Sequence, residues 1–328
     1  MKASELYRLM GVSIDLAVEA HALVRGETGR EVPGVKEDKQ QFPNAVVTTV
    51  QIMDPAAEKI MGKPIGTYIT IEAPEMRANN PEVHQDIGKV LAEQLQKLVK
   101  IGPEATVLVV GLGNWNATPD ALGPKAVESV IVSRHLHKYA PQAVVPGLRP
   151  VCAFAPGVLG ITGIETAEII KGVVDRVRPD LVIAIDALAA RSADRIGMTL
   201  QLADTGISPG SGVGNVRAGI SQSSMGVPVI AIGVPTVVDA AVIAHDAIEA
   251  LFNQYKGNPL MAQTYQGLQT TDVQGIIANV LQPFEGHLMV TPKEIDDLIQ
   301  RVSIVLAGGI NQALHPTVHA DDLAAYVQ

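Results

Sequence analysis

Residues 181–215 read LVIAIDALAARSADRIGMTLQLADTGISPGSGVGN, and the fold class follows from them. Leu181–Ile185 is an unbroken apolar run, the pattern of a strand in a parallel sheet covered on both faces. The run meets Asp186. In open α/β sheets chemistry gathers beyond the carboxyl ends of the strands, so an acid at this point is a candidate for work. Arg191 and Arg195 follow, then a strand-like run over 198–203 and a Gly/Ser/Pro-rich loop over 204–215. A stretch of the same shape lies upstream at 107–123, VLVVGLGNWNATPDALG, where a strand feeds a Gly/Asn turn and then Asp120.

Working outward, AVVTTVQIM (45–53) and GTYITIEAP (66–74) read as a strand pair. Asn80-Pro81 opens a helix by the N-cap and first-turn rule. Further strands are expected over 151–154 and 227–232, and helices over about 124–137 and 237–252. Thr162-Gly163-Ile164-Glu165 has the form of a capping box opening a helix that ends near Arg178-Pro179. A second box is expected at Thr291-Pro292-Lys293-Glu294. Residues 1–35 read as a polar arm and loop. The alternation predicts an α/β protein: a three-layer α/β/α fold with a mostly parallel central sheet, additional strands and C-terminal helices. A single domain is expected, its last part, from about 254 to 328, helical.

At 328 residues with 47% apolar and 18% charged residues, the chain can bury a sizeable core. Aromatics at 3% and a net charge of −9 disfavour base-stacking platforms, nucleic acid and anionic membrane as partners. No apolar run reaches the roughly 18 residues of a spanning helix, and the N-terminus lacks a secretory core, so a cytoplasmic location is expected. The lone cysteine, Cys152, excludes an internal disulfide and reads as a small packed hydrophobe.

Asp120 and Asp186 are the candidate chemistry. Two carboxylates can hydrolyse an amide without a metal if they sit close enough that one keeps a proton while the other ionises. Either acid could instead cap a helix or turn. Asp204-Thr205-Gly206 matches the triplet of two-lobed aspartic proteases, but it occurs once and in an α/β pattern, so a turn is the better reading. GLGN (111–114) and GSGVGN (210–215) complete neither a dinucleotide fingerprint nor a P-loop. No H-E-x-x-H is present, and neither a metal nor a cofactor is expected. Arg191, Arg195 and Arg217 flank the central loop and could pair with acidic substrate side chains or form structural ion pairs.

Five segments together, NWNATPDALGP (114–124), IDALAARS (185–192), DTGISPGSGVGN (204–215), GVPVIAIGVPTVVDA (226–240) and DLAVEA (15–20), resemble the germination proteases of spore-forming bacteria. The resemblance is weakest over the last 75 residues. It implies an atypical aspartic endopeptidase with a fold similar to that of hydrogenase-maturation proteases, made as a homotetrameric zymogen in the forespore. Its implied substrates are small acid-soluble spore proteins, degraded at germination. The family's two essential aspartates fall on Asp120 and Asp186. Its substrates are cut before an aliphatic–Ala–x–Glu sequence preceded by an acid, a form shared by Asp15-Leu16-Ala17-Val18-Glu19. The resemblance thus implies self-cleavage between Asp15 and Leu16, a propeptide over 1–15 and a peptidase domain over 16–328. Ile14 departs from the Thr frequent at that place. Arg191 and Arg195 become the candidates to bind the substrate's acids. The alternatives are a metal-dependent maturation-type peptidase using carboxylates and a histidine, and a non-catalytic nucleotide-binding protein.

Overall fold

The computed structural model describes residues 15–28, 31–208, 218–255, 270–284, 288–318 and 326. In chain order the principal elements are helix α1 (Ala17–Thr28), strands β1 (Val35–Phe42) and β2 (Ala45–Ile52), helix α2 (Pro55–Met61) and strand β3 (Gly66–Glu72). Helix α3 (Pro81–Leu98), strand β4 (Val107–Gly111), helix α4 (Leu122–Glu128), strand β5 (Val151–Phe154) and helix α5 (Thr166–Val177) follow. Next come strands β6 (Leu181–Ala190), β7 (Thr199–Ala203) and β8 (Val229–Asp239), and helices α6 (Ala240–Tyr255) and α7 (Thr270–Leu281). Strand β9 (Met289–Val290) and helix α8 (Ile295–Leu314) complete the set.

The strands form one sheet in the order β1-β2-β3-β7-β8-β6-β4-β5, with β9 on β8. Its centre, β5-β4-β6-β8, is parallel. The additional strands form an antiparallel wing running outward from β8 through β7, β3 and β2 to β1. Side chains alternate across the sheet. Val107, Val109, Ile183, Ile185, Leu200, Leu202, Ile230 and Ile232 face one core shared with α3, α4 and α8. On the opposite face α5 covers Leu108, Val110, Val182, Ala184 and Val229. Beside it α1 and α2 cover Val50, Ile52, Tyr68, Ala203 and Ala231. The three-layer α/β/α architecture follows from this two-sided burial.

Several local expectations change. β6 does not stop at Asp186; it continues to Ala190 because β8 runs alongside, pairing Asp186 with Gly233, Ala187 with Val234 and Leu188 with Pro235 before a bulge. Ala-rich residues 187–190 have little strand propensity of their own, and the partner strand supplies what propensity does not. The helix expected over 124–137 is broken after Glu128 and resumes only at Arg134–Tyr139. Between them the Ile131 N–H donates to Asn311 Oδ1 and Asn311 Nδ2 donates to the Ser129 carbonyl, so α8 captures the backbone groups that a continuous helix would have used. Neither expected capping box forms. The Thr162 hydroxyl bonds within its own turn and α5 begins at Thr166, while the Thr291 hydroxyl donates to the Thr236 carbonyl. Residues 15–28 are not a peripheral arm: Leu16 and Ala17 are wholly buried, and α1 packs on α2, β2 and β3. β1, too polar to be read as a strand, is an exposed edge whose charges discourage further pairing.

Candidate active site

Asp186 belongs to the series Val182, Ala184, Asp186, and so points to the face covered by α1 and α5 rather than to the α3/α8 core. It is buried, and the Ala187 N–H donates to Oδ1 at 2.9 Å. Burial pushes its carboxyl well above the ordinary range, and the neighbouring charge of Asp120 pushes it further. The group therefore keeps its proton where an ordinary aspartate has lost it.

Asp120 reaches this point through a shaped turn. β4 ends at Gly111, the Leu112 N–H donates to the Ile185 carbonyl at 2.8 Å, and Gly113 takes φ +118°, which only glycine adopts readily. Thr118–Asp120 then makes a single 3₁₀ turn packed against β6 and β8, and the Asn114 N–H donates to Asp120 Oδ2 at 2.8 Å. Gly123 lets the chain close over β6, since a Cβ there would run into the Leu112 and Ile185 carbonyls. The half-buried Asp120 and the buried Asp186 thus interact, one more open to water than the other. Asp186 lies within its strand, not at the tip. The GLGN segment is the turn that delivers Asp120.

The cleft beside the pair holds the chain's own residues 15–19. Asp15 Oδ2 accepts from the Ala189 N–H at 3.1 Å. The Asp15 carbonyl accepts from Gln201 Nε2 at 3.0 Å, and the Ala17 N–H donates to Gln201 Oε1 at 2.6 Å. Leu16 between them is fully buried. Glu19, 5% exposed, meets Arg195 Nε at 3.1 Å and accepts from the Arg191 N–H at 3.3 Å. Arg195 also reaches Glu72 at 2.9 Å. Burial raises Glu19 to about 7 against the opposing pull of Arg195 and Arg191. Lys63 is lowered by burial, opposed by the charges of Asp15 and Glu19. A cavity of about 430 Å³ opens beside Asp15, lined by Lys63, Tyr68, Leu188, Gln201 and Gly233 among others.

The structure therefore brings together Asp120, Asp186, Asp15, Leu16, Arg191 and Arg195. Arg217 and the GSGVGN segment lie outside the described residues. Asp204-Thr205-Gly206 is a turn: Asp204 Oδ1 accepts from the Thr67 N–H at 2.8 Å and Gly206 takes φ +83°. Gln201, Lys63 and Glu72 are the site residues that sequence reasoning missed. Gln201 carried no signal beyond being a polar residue in an apolar strand, and Lys63 and Glu72 carried none. Among the described residues, one group has metal-ligand spacing, His245, Asp246 and Glu249 on α6, and it includes neither Asp120 nor Asp186. No helix among them is long and apolar enough to cross a membrane.

The model of the germination protease family matches residues 13–263 and 261–327. The chain belongs to that family. Germination protease from Caldanaerobacter subterraneus subsp. tengcongensis is 50% identical over 312 residues, covering 94% of this chain and 95% of that protein. Germination protease from Clostridium tetani is 46% identical, covering 97% of this chain and 100% of its own length. That of Bacillus subtilis is 42% identical, with coverage of 99% and 100%. Among solved structures, the NiFe hydrogenase maturation protease HycI of Thermococcus kodakarensis matches 44% of this chain and 80% of its own, at 19% identity and a TM-score of 0.28. As a germination protease by family, the chain is a peptidase.

Proposed function

We propose that the chain is a self-processing aspartic endopeptidase that cuts its own Asp15–Leu16 bond, and afterwards the same kind of bond in small acid-soluble spore proteins. One observation carries this reading: the segment Asp15–Glu19 threads the cleft beside the interacting carboxylates Asp120 and Asp186, with Glu19 on Arg195 and Leu16 enclosed. Asp120, the more exposed acid, takes a proton from water as its oxygen attacks the Asp15 carbonyl carbon. Asp186, which holds its proton against ionisation, passes it to the departing Leu16 nitrogen as the C–N bond breaks.

The same contacts explain inhibition before processing. Residues 15–19 occupy the ground that an external substrate needs, so the cleft is closed until the Asp15–Leu16 bond is cut, residues 1–15 dissociate and the new N-terminus at Leu16 withdraws. Residues 1–15 are then the propeptide and 16–328 the peptidase domain, acting as a homotetramer in the forespore. Arg195 and the Arg191 N–H select an acid four places after the cut, because a buried carboxylate without a cation and donors is costly.

The test is to incubate the purified protein, then sequence its N-terminus and map cuts in a spore-protein peptide by mass spectrometry, with and without a chelator. A new N-terminus at Leu16, chelator-insensitive cutting and loss of both in Asp120→Asn and Asp186→Asn are expected. An N-terminus elsewhere, or cleavage that survives either substitution, refutes the proposal.

A further inference from the structure

Gln201 is not an acid, not a base and not in any motif, yet it makes two hydrogen bonds to residues 15–17. We propose that Gln201 is a main-chain reader of the peptidase cleft: its amide grips the carbonyl of the bond to be cut and the N–H of the second residue beyond it. This inference rests on the reading of Asp15–Leu16 as the cleaved bond. Asp186 on β6 is opposite Gly233 on β8, and Gly233 is opposite Gln201 on β7. Paired residues on adjacent strands direct their side chains to the same face, so the carboxyl and the amide rise from one side of the sheet, about 10 Å apart at the backbone. Gly233 between them has no side chain, and Leu188 fills the space a Cβ would take there, while residues 15–17 lie on the Gln201 amide itself.

The chemistry at the Gln201 amide is complementary. A peptide carbonyl only accepts and a peptide N–H only donates, so the primary amide that satisfies both must turn Nε2 to Asp15 and Oε1 to Ala17. A neutral amide does this without titrating. Two bonds that span one residue also fix where the peptide carbonyl stands relative to Asp186, whatever side chain occupies the enclosed place. Because both contacts are to backbone, Gln201 serves an external substrate as it serves the protein's own segment. The Asp15 oxygen gains negative charge as water adds to the carbonyl, and the Nε2 donor at 3.0 Å is placed to stabilise it.

The experiment uses the processed protein and two substrates carrying residues 10–24 of this chain. One is the natural peptide. The other has an ester oxygen in place of the Ala17 N–H, deleting only the group that donates to Gln201 Oε1. The wild type is expected to cut both between Asp and Leu, the ester about 5- to 10-fold less efficiently, as befits one lost hydrogen bond. Gln201→Leu is expected to lower kcat on the natural peptide about 100-fold, the scale of one lost oxyanion donor. It should also bring the peptide-to-ester ratio to about one. Gln201→Glu keeps the side-chain length and an acceptor but not the amide donor, and is expected to lose kcat while retaining the ratio. A residue that merely supports the sheet would slow both substrates equally and leave the ratio unchanged in Gln201→Leu. That result, or kcat within threefold of wild type in both variants, overturns the proposal. Failure of the wild type to cut between Asp and Leu would instead sink the cleavage assignment on which it rests.

Discussion

Glu19 provides a quantitative test of how residues 15–28 are held. Its carboxyl is raised from 4.5 to about 7 because burial outweighs the attraction of Arg195 and Arg191. The docked segment therefore binds a proton more tightly than the released one, so docking weakens as pH rises from 4.5 to about 7 and is flat above. At 1.36 kcal/mol per pH unit, moving from pH 5 to pH 8 loosens the segment by about 2–3 kcal/mol through this group alone. Asp186 titrates in the same sense and Lys63 in the opposite one, so both must be held constant. The comparison is between Asp186→Asn, in which self-cleavage is expected to be blocked, and Asp186→Asn/Glu19→Gln. Hydrogen exchange of the α1 amides, corrected for the intrinsic pH dependence, reads the opening free energy. The single variant should open more readily at pH 8 than at pH 5, by about 2–3 kcal/mol more than the double variant does. Equal pH dependence in the two would show that Glu19 does not ionise on release, and the electrostatic account of the docked segment would be wrong.

Asp186→Asn and Asp120→Asn should each reduce peptide cleavage at least about 1000-fold while circular dichroism stays native, since acid–base groups of this kind contribute on that scale. For Asp186→Asn, thermal stability at neutral pH should change by less than about 1 kcal/mol, because a neutral amide replaces a carboxyl already held neutral. Arg195→Glu should lower kcat/KM for a peptide with Glu at the Glu19 position far more than for one with Ala there. Equal losses on the two peptides would assign Arg195 to structure through Glu72 instead. Gly123→Ala should cost about 2–3 kcal/mol in chemical denaturation, because the new methyl meets two backbone carbonyls that cannot move independently.

The central strands, the α/β class and the two candidate aspartates were legible because buried parallel strands need continuous apolar runs and leave a strong one-dimensional trace. The approach of Asp120 to Asp186 was only an expectation, since it depends on a turn folding back over β6. The broken helix after Glu128 was not legible, because the group that breaks it, Asn311, is 180 residues away. Residues 15–28 looked peripheral for a related reason. Half of their buried apolar positions, Leu16, Ala17, Ala20 and Leu23, are alanines with little surface of their own, and Ala17 and Ala20 are buried only because β2, β3, α1 and α2 assemble around a common cluster.

What the linear chain determined by itself is therefore what depends on near neighbours: strands from apolar runs, turns from glycine, and the acid–aliphatic–Ala–x–Glu form of residues 15–19. Which distant groups meet is settled by the packed fold alone. Register across β6, β8 and β7 sets Asp186, Gly233 and Gln201 in one row, although 186 and 201 belong to different strands and 233 to a third. Sheet pairing is a non-local choice, stabilised by backbone bonds that every residue can make, and so it leaves no mark on the identity of a single glutamine.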